Sequence, residues 1–101
     1  MFNIDTAATQ RDIPREPIFS IDGVEYTIPK EVGAEVAAQA MDRLRTEPDA
    51  AISAWCAERL IGKEGWQALL NVEGLDKATF RGIMRICRER IFGGLEAEGK
   101  G

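Results

Sequence analysis

The chain of 101 residues contains no histidine. That removes the commonest general base and the commonest metal ligand together. It has two cysteines, Cys56 and Cys87, too few to make a zinc site alone. Both fall inside apolar helical patterns, which reads as two buried free thiols in a reducing compartment. Spacing does not fix their separation, so a disulfide stays open. Ser20 and Ser53 have no histidine to activate them. No carboxylate pair is forced to converge, and Glu31 and Glu35 lie on one exposed helix face where they repel each other. Gly62-Lys63-Glu64-Gly65 lacks the spacing of a phosphate-binding loop. No apolar run approaches the ~20 residues of a membrane helix. Met1-Phe2-Asn3-Ile4-Asp5 lacks the basic and apolar stretches of a signal peptide. These absences predict a cytoplasmic protein that is not an enzyme and has no metal or cofactor site.

Positive charge is also in deficit. The net charge of -4 argues against nonspecific nucleic-acid binding, which needs surplus lysine and arginine to neutralise phosphates. What the chain does have is an ordinary globular balance, 45% apolar and 30% charged, at a length that suits one domain with a modest core.

Residues 1–16 show no sustained period. Small polar residues and the bracketing Pro14 and Pro17 predict a flexible N-terminal arm. A hairpin follows. Asp22-Gly23 suits the positive φ values of a type I′ turn between Ile18–Ile21 and Val24–Ile28. With those two residues as the turn, Ile21 opposes Val24, Ser20 opposes Glu25 and Phe19 opposes Tyr26. Phe19, Ile21, Val24, Tyr26 and Ile28 then share one face, and Ile18, Ser20, Glu25 and Thr27 the other. A lone hairpin is unstable in water, so the apolar face must cover the helices that follow.

Four helices are predicted. The first runs from Lys30 to Arg45, opened by Pro29. Its stripe is Val32, Val36, Ala37, Ala40, Met41 and Leu44, thinned by Gly33 and the alanines. Thr46 caps the second, which has Asp49 in its first turn, runs to Ile61 with Ile52, Trp55, Cys56 and Leu60 inward, and stops at Gly62. The third, Lys63 to Val72, carries Trp66, Leu69 and Leu70, and Gly74 stops it. Asp76 caps the fourth, Lys77 to Phe92, with Phe80, Ile83, Met84, Cys87 and Ile91 inward; Gly93-Gly94 ends it, and residues 95–101 form a loose tail. The expected architecture is mainly α: a β-hairpin packed on a four-helix domain over residues 17–94.

Candidate binding residues come from what the core does not use. Arg81, Arg85 and Arg88 share one face of the last helix, either a basic stripe for an acidic partner or a solvated face favoured by the helix dipole. Trp66 follows a glycine pair on a short helix and reads as core or as a partner anchor. Ile18 and Glu25 mark the hairpin's outer face.

The stretch Pro17-Ile18-Phe19-Ser20-Ile21-Asp22-Gly23-Val24-Glu25-Tyr26-Thr27-Ile28-Pro29, then a small helical domain with Trp55 and Trp66, resembles the tail assembly chaperones of long-tailed bacteriophages. The likeness covers residues 17–101 and is one of layout. It implies a non-enzymatic protein that binds the helical tape-measure protein, recruits tail tube protein, and is absent from the mature virion. Exposed apolar seams on such a partner aggregate unless covered, and an acidic helical domain can cover them by helix-in-groove contact. In that family some ribosomes slip one base near the end of the first frame. Glu98-Gly99-Lys100 can be encoded GAG-GGA-AAG, which contains a slippery heptamer and would make the tail a linker to a longer product. Trp66 or the thin Gly33/Ala37/Ala40 face would serve a homo-oligomer. Two other readings compete: a small DNA-binding or regulatory module reading with the last helix, and a structural head-tail virion protein.

Overall fold

The structure, a computed structural model, describes residues 14–99. Most of the expected arm, and Lys100 of the proposed slippage site, lie outside that range. Within it, strands β1 (Arg15–Ile21) and β2 (Val24–Pro29) form a hairpin. Helices α1 (Ala34–Leu44), α2 (Asp49–Ile61), α3 (Lys63–Asn71) and α4 (Lys77–Gly99) follow. The chain is thus mainly helical with an N-terminal β-hairpin on a four-helix domain.

The hairpin turn is as its chemistry demands. Asp22 and Gly23 both take positive φ, 50° and 84°, which Gly and Asp tolerate best. Ile21 pairs with Val24, Ser20 with Glu25 and Phe19 with Tyr26, and the Phe19 and Tyr26 rings stack at 5.0 Å. Beyond that point the alternation breaks. The ladder shifts between Pro17 and Phe19, where Ile18 is the extra residue of a bulge. Pro17 has no N–H to give the ladder, and a bulge absorbs that gap. Ile18, expected on the outer face, consequently packs against the core. Val24, expected inward, is 56% exposed, because it sits at the turn beyond the helices.

The strands also run further than the sequence pattern indicates. β1 begins at Arg15, and Lys30 N–H donates to the Pro14 carbonyl at 2.8 Å. That bond ties Lys30 into the hairpin, so α1 starts at Ala34 and not at Lys30, with Gly33 as its N-cap residue. Two arginines clasp the hairpin's open end. Arg15 donates to Thr27 and to the Leu60 carbonyl at the end of α2. Arg90 of α4 donates to the Pro29 carbonyl at 2.7 Å and pairs with Glu16.

Helix α2 is the central element and packs on α1, α3, α4 and β2. Ile52, Cys56 and Ala57 are wholly buried there. Val36, Ala37 and Ala40 present the thin face of α1 to this core, whereas Met41 and Leu44 of the same expected stripe are 52% and 41% exposed. Thr46 does not cap α2. Its N–H and that of Glu47 both donate to the Arg43 carbonyl, finishing α1, and Pro48 takes the N-cap position. Gly62, at φ 95°, ends α2 as expected, and Gly74, at φ 87°, turns the chain after α3. Gly65 permits a close approach: a Cβ there would lie 2.4 Å from Ile61 Cγ2 and 3.2 Å from Tyr26.

Asp76 caps α4, its carboxylate accepting the Thr79 N–H at 2.6 Å. The stop expected at Gly93-Gly94 does not occur, and α4 continues to Gly99. A glycine ends a helix by taking left-handed φ. Gly62 does so and Gly93 does not. In a helix interior, glycine instead costs about 1 kcal/mol.

Candidate functional site: an apolar trough between α2, α3 and α4

Helix α3 is short, follows α2 across the Gly62 break, and packs more closely on α2 than on α4. The wedge between them is an open trough of about 710 Å³. Ala50 and Ala54 of α2 make a floor of small side chains. Trp66, Leu69 and Leu70 of α3 form one wall, Phe80 and Met84 of α4 the other, and Leu75 closes the end where the two helices join. The Trp66 and Phe80 rings pack against each other at its base, with centroids 6.3 Å apart and planes tilted by 36°.

Burial is graded across this wall. Leu69 is 1% exposed, while the adjacent Leu70 is 52% exposed. Successive helical residues point about 100° apart, and on this part of α3 the Leu69 side is the one turned to the core. Leu70 is therefore presented at the trough's lip. Trp66, Leu75, Phe80 and Met84 are partly buried and continuous with the core beneath.

Charge is distributed unevenly around the rim. Lys77 and Arg81 line the α4 side, and Arg85 follows one turn later, exposed. Arg88, the third arginine of the expected stripe, is turned into the α2–α4 seam. It donates to Asp49 Oδ1 at 2.8 Å and Ser53 Oγ at 3.0 Å, and its guanidinium lies 5.8 Å from the centre of the Phe92 ring. That contact holds the Asp49 carboxyl below its ordinary range, first through the Arg88 hydrogen bond and then through its charge. The Asp76 carboxyl is lowered as well, chiefly by the Thr79 N–H.

The structure thus brings Trp66 and Arg81 together at the trough, with Arg85 next in line, and sends the other candidates elsewhere. Ile18 lies in a separate cleft with Pro17, Ile86 and Arg90. Glu25 is exposed on the hairpin beside the turn. Trp55, on the far side of α2, packs on the core with the Arg43 guanidinium 5.2 Å from its ring centre; Arg43 is itself paired with Glu47. Leu70, Leu75, Phe80 and Met84 are the trough residues that sequence reasoning missed as a site. The Leu69-Leu70 doublet was the available signal.

Cys56 and Cys87 are free thiols, both fully buried in the seam. Burial, with the neighbouring Cys56 adding to it, pushes the Cys87 thiol up to about 11. Burial also raises Cys56. A thiol held neutral in this way is a poor nucleophile. Among the described residues, no group of three metal-ligating side chains converges, and no helix is long and apolar enough to cross a membrane. Comparison of the chain with protein-family models, curated proteins and solved structures found no match.

Proposed function

We propose that this protein is a non-enzymatic binding protein whose trough receives an apolar helical segment of a partner, and that it acts as a tail assembly chaperone for a phage tape-measure protein. The observation that carries the reading is the trough itself. Its walls are large apolar side chains left partly uncovered, with Leu70 held outward at the lip. Exposed apolar surface of this kind marks interaction sites, and Trp66 and Phe80 are the residue types that anchor interfaces. The trough is open along its top, so a small molecule lying in it would keep one side in water, whereas well-held small ligands are mostly enclosed. A helix laid along it would cover both lips.

The chaperone role rests on the resemblance of the hairpin and helical layout to that family. It places the protein in the host cytoplasm, outside the mature virion, with tail tube protein as a second partner. The test is co-expression with the tape-measure protein of the same phage. The expected result is that the tape measure moves from the insoluble to the soluble fraction and co-purifies with this chain, and that Leu70→Asp abolishes both effects. A tape measure that stays insoluble, or this chain found as a stoichiometric part of finished particles, would contradict the reading.

A further inference from the structure

From the charges around the trough we infer that its occupant is an amphipathic helix flanked by acidic residues. The inference rests on the docking reading above and adds the chemistry of the partner. None of the ion pairs among the described residues involves Lys77, Arg81 or Arg85. All three lie on the outer side of α4, and Lys77 and Arg81 are part of the trough lining. Asp76 is the one carboxylate in that lining, and it is engaged by the Thr79 N–H at the start of α4. Asp49, at the near end of α2, is matched by Arg88. The rim is therefore net positive on a chain whose net charge is -4.

Opposite charges across an interface steer association and fix register, and like charges exclude wrong partners. An occupant with carboxylates along its α4-facing flank would meet Lys77, Arg81 and Arg85 at helical spacing while its apolar face covers Leu70, Phe80 and Met84. An occupant with basic flanks would place like charges together at a partly desolvated rim. A second copy of this chain and a neutral helix are the competing occupants.

The experiment uses the full chain and three fluorescently labelled helical peptides of about five turns. They share one leucine face and differ only in flanking residues: glutamate, glutamine or lysine. Affinity is read by anisotropy at low and high salt. The glutamate peptide should bind tightest, the glutamine peptide about tenfold more weakly, and the lysine peptide not measurably. The preference should shrink as salt screens the rim and should reverse in the variant Lys77→Glu/Arg81→Glu/Arg85→Glu. Leu70→Ala should weaken every peptide that binds. Equal binding of all three peptides would overturn the acidic-partner inference and leave the docking reading in place. Binding of none would overturn both. A dimer of the free chain that dissociates as peptide is added would make a second copy the natural occupant and overturn the inference.

Discussion

Helix α4 meets α2 in two different ways along its length. Around Cys87 and Ile91 the seam is closed: both residues are buried, and Arg88 is folded across it onto Asp49 and Ser53. Around Phe80 and Met84 the same pair of helices stands open, and the small side chains Ala50, Ser53 and Ala54 line the α2 side. Arginines lie on both stretches. Where α2 offers a carboxylate, the arginine is drawn down and becomes part of the fold. Where it offers alanine, Arg81 remains at a rim. An identical run of charge on one helix face therefore serves stability at one end and is left for a partner at the other, and the difference is set by what faces it.

Substitutions should separate the two regions sharply. Ile52→Ala, in the closed core, should lower unfolding free energy by about 2–5 kcal/mol, the usual cost of a buried aliphatic truncation. Leu70→Ala, at the lip, should change it by less than about 0.5 kcal/mol. Urea denaturation of both variants measures the contrast, and equal losses would mean that the trough is structural. Gly65→Ala should cost about 1–3 kcal/mol through overpacking, since the new methyl would press on Ile61 and Tyr26; a variant as stable as the parent would show that α3 shifts freely.

Titration sharpens the same division. The raised Cys87 thiol favours the protonated form in the folded state, so its contribution is fully present below the unfolded value near 9.0 and is lost as pH rises through about 11. Stability should fall across that window, and Cys87→Ala should flatten the fall. At neutral pH both thiols should resist alkylation until the chain unfolds. The start of α4 should titrate at the opposite end of the pH scale. Asp76 is a lowered carboxylate, so its stabilisation is present above the ordinary carboxylate range and is lost as pH falls through the lowered folded value. Asp76→Ala should reduce the thermal midpoint modestly at neutral pH, and the difference from the parent should vanish in strong acid.

Much of the fold was legible where local chemistry decides. Asp22-Gly23 dictates its turn and register, Gly62 its helix stop and Asp76 its cap, because each acts through its own backbone or one three residues away. The misses have different causes. Lys30 is tied into the hairpin by a bond to Pro14, a contact between distant segments. Thr46 is taken up by the last turn of α1, the missing N–H of Pro17 is absorbed by a bulge that turns Ile18 inward, and Gly93 does not take the positive φ that would stop α4. The trough was only half legible. Trp66 and Arg81 stand out by residue type, but Leu70, Phe80 and Met84 look like core in any periodic pattern, and only the open packing of α2, α3 and α4 uncovers them. Arg88 looked like its neighbours until Asp49 was placed opposite it.

The most direct test of the trough as the working surface is an amide chemical-shift map of the isotope-labelled chain, recorded as the glutamate-flanked peptide is added. Shifts should be confined to the N-terminal half of α2, to Trp66–Leu70 and to Leu75–Arg85, with the hairpin and the Trp55 side unchanged. Shifts centred on Glu25 and the hairpin, or on Trp55 and Arg43, would contradict the trough's role.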